Sequence, residues 1–134
     1  MPYVFDEEIG YIVTKDEKET LVTSGIYERY IVEYNQETNE KHIYHHLLNP
    51  ITGYPEDNDL LSVTIICQNS MVADALATAV FLMGKNRGLE YINLLNDVEA
   101  IFITKNKEIY LSSNIANRFV LNDEIKNYNY KLIK

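Results

Sequence analysis

Two side chains that could bind a metal ion lie four residues apart, Asp74 and Thr78, in a stretch predicted to be helical. On a helix, residues at i and i+4 lie on the same face, one turn apart. A carboxylate and a hydroxyl are hard oxygen ligands, which suit Mg²⁺ or Ca²⁺, and a set of only two favours Mg²⁺, which takes its other ligands from phosphates and water. From spacing alone, an exposed aspartate near a helix start and a threonine bonded to a backbone carbonyl form the commoner arrangement.

A candidate general base lies at the end of the strand predicted at residues 40–46. Successive strand residues point to opposite faces, so His42 and His46 share one face and His45 points to the other. This division, without a thiolate or carboxylate at ligand spacing, disfavours a zinc cluster. The imidazole of His46, directly before a tight turn, is well placed to accept a proton. A histidine that holds the turn through a backbone hydrogen bond is an equally good interpretation.

The segment after His46 reads LLNPITGYP and predicts a rigid bend. Pro50, Gly53 and Pro55 exclude a helix and favour turn geometry, so structure alone accounts for most of this motif. Thr52 and the amide of Gly53 could still donate hydrogen bonds to a phosphate.

A second segment with groups for ligand binding reads SGIYER at residues 24–29. Ser24-Gly25 predicts a bend between two strands, with Gly25 free to take a positive φ. Arg29 could pair with a phosphate. Tyr27 could stack on a ring or pack on the sheet, and packing is the safer interpretation in a chain with 11 tyrosines.

Four separated blocks form one pattern: TSGIYER at 23–29, HLLNPITGYP at 46–55, SVT at 62–64 and ADALATAVFLMG at 73–84. In order and spacing, this pattern resembles the C-terminal half of the ApbE family, the FAD:protein FMN transferases. The resemblance covers most of residues 23–113. Because family members are about twice as long, it implies that an N-terminal half supplies part of the flavin site.

The resemblance implies roles for particular residues. Asp74 and Thr78 match the metal-binding positions of the family, which reverses the preference from spacing alone and implies Mg²⁺. His46 matches the histidine that takes the proton of the acceptor hydroxyl. The implied contacts to the cofactor FAD are Ser24, Gly25, Tyr27, Arg29, Thr52 and Gly53.

Asn49 departs from the family pattern, since many members have Asp at this position. Asparagine keeps the hydrogen bond that forms the turn and loses the charge, so we expect no catalytic role for it.

The implied reaction moves FMN from FAD to a threonine hydroxyl of a target protein, forming a phosphoester and releasing AMP. Two other hypotheses are Mg²⁺-dependent hydrolysis of FAD to FMN and AMP, and a non-catalytic flavin-binding or interaction module. The implied partners are FAD and an acceptor protein. A partial family domain exposes apolar surface, so we also expect a homo-oligomer or pairing with the N-terminal half.

Composition narrows the function classes. The 134 residues suit a single domain, 1–134, with a sizeable core. A net charge of −8 argues against nucleic acid and anionic membranes as partners. A dinucleotide would then need a cation or helix N-termini beside its phosphates. The single cysteine, Cys67, predicts a buried, inert thiol. Full-length relatives are often anchored lipoproteins, but these residues do not indicate a localisation.

The predicted fold class is α+β, a largely antiparallel sheet with two main helices packed on it, as in the C-terminal portion of the ApbE family. Apolar and β-branched runs predict strands, Asn69 or Ser70 and Gly84 bound one helix, and a polar tail ends the chain. The predicted strands are 3–14 interrupted at Gly10, 20–23, 27–34, 40–46, 60–67, 100–104 and 109–112. The predicted helices lie within 69–84 and at 87–96, and a polar tail covers 122–134.

Overall fold

The computed structural model describes residues 8–27 and 29–133, which form a five-stranded sheet, two separate strand pairs and two α-helices. The strands are β1 (Gly10–Ile12), β2 (Thr20–Gly25), β3 (Tyr30–Tyr34), β4 (Lys41–His45), β5 (Leu60–Cys67), β6 (Glu99–Thr104), β7 (Glu108–Leu111), β8 (Phe119–Leu121) and β9 (Lys131–Ile133). The helices are α1 (Ser70–Met83) and α2 (Lys85–Leu94), and a 3₁₀ helix spans Asp123–Tyr128.

The central sheet has the strand order β2-β5-β6-β7-β9. Its first four strands are antiparallel to their neighbours, and β9 is parallel to β7. The other two pairs, β1 with β8 and β3 with β4, are antiparallel and lie outside this sheet, and only β3 and β4 form a hairpin. The predicted α+β class with a largely antiparallel sheet is confirmed.

Strand β5 lies at the centre of the packing, and seven of its eight residues are buried. On one face, Val63 and Ile65 join the core beneath α1 and α2. On the other face, Leu61 and Ile66 join a second core that includes side chains from β1, β7 and β8. Burial on both faces explains why this strand has an almost uninterrupted apolar sequence.

Helix α1 begins and ends where its capping residues predict. The Asn69 side chain accepts hydrogen bonds from the amides of Met71 and Val72, each at 3.1 Å. Gly84 ends the helix with φ of 77°, a conformation that favours glycine. Helix α2 then starts at Lys85, two residues before the predicted start at Arg87.

The sequence predicts a bend at Ser24-Gly25 and a strand from residue 27, and both predictions are wrong. Strand β2 continues through Gly25, because the Ser24 and Gly25 backbones pair with Val63 and Ser62 of β5. The turn follows at Ile26 and Tyr27, so β3 begins only at Tyr30.

The ends of the chain also differ from the prediction. Residues 3–7 of the predicted first strand lie outside the described residues, and β1 begins at Gly10 instead of being interrupted there. A Cβ at Gly10 would lie 2.5 Å from the Val120 oxygen, so this close pairing requires glycine. The predicted polar tail forms a 3₁₀ helix and β9, because Ile125 is buried and Leu132 packs on the second core.

Cys67 is buried at the end of β5, as predicted, and its thiol donates to the Asn69 oxygen at 3.2 Å. In the part of the chain that the structure describes, neither helix has the length and apolar character needed to cross a membrane.

Candidate functional site

Helix α1 and strand β2 bring two hydroxyl groups together. Ser24 Oγ lies 3.3 Å from Thr78 Oγ1, and Ser24 is only 9% exposed. Ala73 and Ala77 are fully buried, so α1 approaches the sheet closely and carries Thr78 to the boundary of the core. The contact joins two of the sequence blocks, at residues 23–29 and 73–84, although 54 residues separate the two side chains.

The part of α1 that carries Asp74 and Thr78 has oxygen atoms that would suit a hard cation. Asp74 presents an exposed carboxylate one turn from Thr78, and the hydroxyl of Ser24 adds a third oxygen nearby. Among residues 8–27 and 29–133, no three His, Cys, Asp or Glu side chains form a group that could hold a metal. The oxygens fit Mg²⁺, which binds through few protein ligands and takes the others from phosphate and water.

His46, directly after β4, is held in one orientation by the Arg29 backbone. The His46 amide donates to the Arg29 oxygen at 3.3 Å, and His46 Nδ1 lies 3.2 Å from the same oxygen. A carbonyl only accepts hydrogen bonds, so Nδ1 carries a proton, and in the neutral ring Nε2 carries the lone pair. The ring is exposed, and its hydrogen bond runs to the residue before β3 and not into the turn that follows. The role of His46 as a proton acceptor stays a prediction.

A groove of about 1040 Å³ lies beside His46. Four predicted site residues line it, on the segment after β2 and on the turn after β4: Tyr27, Arg29, His46 and Gly53. Further aromatic side chains in its wall are Tyr30, Tyr44 and Tyr54. Flat rings with a guanidinium and an imidazole suit a ligand that has both an aromatic ring and a phosphate.

Gly25 lies behind the wall of this groove. A Cβ at Gly25 would lie 2.6 Å from Tyr27 Cε1, so the tyrosine ring packs directly on the glycine. Gly25 therefore positions Tyr27 and does not itself line the groove among the described residues.

The turn at residues 47–56 is closed by its own hydrogen bonds. The Asn49 side chain accepts from the Ile51 amide at 2.9 Å and donates to Glu56 Oε2 at 2.7 Å. Gly53 has φ of 73°, and its amide donates to the backbone oxygen of Asn49 at 2.8 Å. That amide is already used within the turn, which corrects the prediction that it donates to a phosphate.

Thr52 lies at the exposed end of the same turn. Its hydroxyl accepts from the Tyr54 amide at 3.3 Å, so its own proton is left for a ligand. Thr52 and Asp74 have no described contact with the other predicted site residues. The structure thus gives two groups, Ser24 with Thr78 and the groove around His46, and residues 24–29 connect them.

Sequence comparison identifies a family pattern in this chain. The family model described as "ApbE family" matches residues 3–102. The chain is 43% identical over 101 residues to an FAD:protein FMN transferase of Klebsiella pneumoniae, covering 75% of this chain and 30% of that protein. It is 36% identical over 99 residues to an FAD:protein FMN transferase of Treponema pallidum, covering 74% of this chain and 26% of that protein.

Solved structures share the fold. The flavin transferase ApbE from Vibrio cholerae matches with a TM-score of 0.57 and 30% identity, covering 75% of this chain and 30% of that chain. An ApbE protein from Thermotoga maritima matches with a TM-score of 0.58 and 32% identity, covering 96% of this chain and 36% of that chain.

The chain spans about 30% of the length of the first of these relatives, less than the half that the resemblance implies. The matched part is the C-terminal part of the relatives.

Proposed function

Because the chain belongs to the ApbE family, we propose that it forms the C-terminal part of a site that transfers FMN from FAD to a threonine hydroxyl of an acceptor protein. The observation that carries the proposal is the geometry of His46. The Arg29 oxygen holds Nδ1–H, so that Nε2 is the proton acceptor of a ring that lines the groove. A neutral histidine held in this orientation suits general base catalysis.

In the proposed reaction, His46 Nε2 accepts the proton of the threonine hydroxyl as the threonine oxygen attacks the FMN phosphorus. A new bond forms between these two atoms. The bond from the same phosphorus to the bridging oxygen of the diphosphate breaks, and AMP leaves with that electron pair. The Arg29 carbonyl, hydrogen-bonded to Nδ1–H, stabilises the positive charge that His46 gains.

The other groove residues bind and orient FAD in this proposal. Arg29 supplies a guanidinium for a phosphate, and Tyr27 offers a ring face to the flavin. Glu33 accepts a hydrogen bond from the Tyr44 hydroxyl and raises the pKa of Tyr44. Tyr44 therefore stays neutral in the groove wall near neutral pH.

Asp74, Thr78 and Ser24 are the residues that would hold Mg²⁺. When bound there, Mg²⁺ would offset the negative charge of the diphosphate. The chain itself has a net charge of −8 and offers few cations for this purpose.

Ligand binding tests the proposed metal site. At an FAD concentration of about 100 times Kd, with MgCl₂ present, we expect about 2.7 kcal/mol of stabilisation and a higher melting temperature. Asp74→Ala should abolish the Mg²⁺-dependent part of this shift. Glu90→Ala, which removes an exposed carboxylate from α2, is the matched control and should retain it. Equal shifts in both variants would exclude Asp74 as a ligand.

Mass spectrometry of an acceptor protein, incubated with the chain, FAD and MgCl₂, tests the reaction. A covalent FMN adduct on threonine together with released AMP is the expected result. Release of AMP without an adduct would reject the transferase hypothesis in favour of FAD hydrolysis. Binding of FAD without either product would favour the hypothesis of a non-catalytic flavin-binding module.

We also propose where the larger part of a family-length protein packs on this chain. Among the described residues, β2 has a strand neighbour on one side only, and its sequence TLVTSG contains no charge or proline that would protect the free edge. Beside it is a groove of about 440 Å³ whose wall includes the half-exposed Leu21. The occupant we propose is a polypeptide that corresponds to the unmatched part of the relatives.

Sedimentation velocity tests this surface. Mixing the chain with the unmatched part of the Klebsiella relative should give a heterodimer, and Leu21→Lys should prevent it. Met71→Lys, at an exposed apolar residue of α1, is the control and should not. A homodimer that Leu21→Lys dissociates, without any heterodimer, would contradict the proposed occupant in favour of a second copy.

A further inference from the structure

The histidine next to His46 is buried. His45 is the last residue of β4 and is 8% exposed, and its ring meets the Phe81 ring of α1 edge-on, with centroids 6.1 Å apart. Leu47, on the other side of His46, is 4% exposed and belongs to the core beneath the helices. Since side chains alternate along an extended chain, burying residues 45 and 47 turns His46 outward.

The hydrogen bonds of His45 give its ring the opposite tautomer from His46. His45 Nε2 lies 3.1 Å from the Glu56 backbone oxygen, and because that oxygen only accepts, Nε2 carries the proton. His45 Nδ1 then carries the lone pair, and it is buried without a hydrogen-bond partner among the described residues. Two adjacent histidines thus present different nitrogens, one to the protein interior and one to the groove.

The bond from His45 closes the turn at its base. Glu56, whose carbonyl accepts from Nε2, also donates its amide to the Leu47 oxygen at 3.0 Å and accepts from Asn49 Nδ2 at 2.7 Å. The end of β4 and the last residue of the turn are therefore joined through Glu56. Because β3 and β4 lie outside the five-stranded sheet, these contacts of His45 and Leu47 help to attach the pair to α1.

We propose that His45 is a positioning residue, which fixes the end of β4 against Glu56 and Phe81 and thereby holds His46 with Nδ1–H on the Arg29 oxygen. Only the expected effect of His45 on catalysis rests on the proposed function. The arrangement of the two rings is a property of the chain without ligand.

The surroundings keep His45 neutral. Burial lowers the pKa of His45 below its ordinary value of 6.5, although the bond to the Glu56 carbonyl acts in the opposite direction. The positive charge of Lys105 and the neighbouring His46 also disfavour a charged ring, while Asp57 favours one. A second proton would go to Nδ1, which has no acceptor among residues 8–27 and 29–133, and this agrees with the direction of the shift.

Imidazole nitrogen NMR of the ligand-free chain tests the proposal. In the unmodified protein we expect His45 with the proton on Nε2 and His46 with the proton on Nδ1. His45→Phe keeps a ring against Phe81 and removes the donor, and we expect His46 to revert to the tautomer mixture of a solvent-exposed imidazole. His45→Gln keeps an amide N–H near the position of Nε2 and should preserve the His46 tautomer.

One control and one substitute variant complete the test. His42→Gln changes an exposed histidine of the same strand and should leave His46 unchanged. If His45→Phe does not fold, His45→Asn takes its place, since its shorter side chain puts the amide nitrogen near Nδ1 and does not reach Glu56. An unchanged His46 tautomer in a folded His45→Phe or His45→Asn, or His45 protonated on Nδ1 in the unmodified protein, would overturn the proposal.

Activity provides a separate measurement. In a flavin-transfer assay of the complete site, we expect His45→Phe to lower kcat about tenfold with KM for FAD nearly unchanged, and His45→Gln to restore most of the rate. If no transfer occurs even in the unmodified protein, the proposed function fails. The NMR test of His45 does not depend on that outcome, because it uses the ligand-free chain.

Discussion

At the scale of single residues, His46 has the clearest chemical role. One backbone oxygen, that of Arg29, holds the proton of its ring on Nδ1. Arg29 lies in the segment that follows β2. The sequence predicts this histidine as the base but does not predict the partner, because 17 residues separate His46 from Arg29. Only the pairing of β3 with β4 brings the two together.

We expect His46→Ala to lower the rate of flavin transfer about 10²- to 10⁴-fold, the usual contribution of a general base. The measurement is the initial rate of FMN adduct formation at saturating FAD. His42→Ala, on the same strand, should keep the full rate. An unimpaired His46→Ala would mean that the threonine proton goes elsewhere.

The proposed metal site is partly predictable at this scale. The spacing of Asp74 and Thr78 indicates a shared helix face, which the bounds of α1 confirm. The proximity of Ser24 is not predictable from the pattern, since it depends on β2 continuing through Gly25 and on α1 crossing β2. The role of either residue toward Mg²⁺ stays a prediction.

At the scale of elements, helix α1 is the part of the fold that local sequence determines best. Its cap, its buried alanines and its terminal glycine all agree with the structure. The end of the chain from β8 onward is the part that local sequence determines worst. The partners of β8 and β9 are β1 and β7, and the pairing of β8 with β1 spans more than 100 residues of the chain.

We expect Asn69→Ala to lower the free energy of unfolding by about 1 kcal/mol, because the amides of Met71 and Val72 lose their acceptor. Urea denaturation measures this change. Asn69→Ser keeps a capping oxygen and should recover most of the loss. Asn86→Ala, an exposed position of α2, should change stability by less than about 0.5 kcal/mol.

At the scale of the whole molecule, a partly buried ion-pair cluster joins segments that are distant in the sequence. The Arg118 guanidinium donates to both oxygens of Glu19, at 2.8 and 3.0 Å, and also to Glu99. Lys15 donates to Glu99 at 2.5 Å. The cluster connects the loop before β2, the start of β6 and the segment before β8.

This cluster predicts a loss of stability in acid. The hydrogen bonds from Arg118 hold the pKa of Glu19 below its ordinary value of 4.5. Below that pH the unfolded state binds more protons than the folded state, so the contribution of Glu19 is present above pH 4.5 and is lost as pH falls through its lower, folded-state pKa. Urea denaturation at about pH 6 and about pH 3.5 should show this fall.

Glu19→Gln should show a smaller fall in unfolding free energy than the unmodified chain over the same range. Glu17→Gln, an exposed acid of the same loop, should behave like the unmodified chain. If Glu19→Gln loses as much stability in acid as the unmodified chain, the Arg118 contact is not the cause.

The separation of β3 and β4 from the five-stranded sheet has a consequence for local motion. A two-stranded unit whose apolar residues Ile31 and Ile43 are largely exposed has little burial of its own to keep it closed. Its amides should therefore exchange with deuterium through local opening, ahead of those in β5 and β6. A molecule seated against Tyr30 and Tyr44 would slow that exchange, so the hairpin itself can report occupancy of the groove.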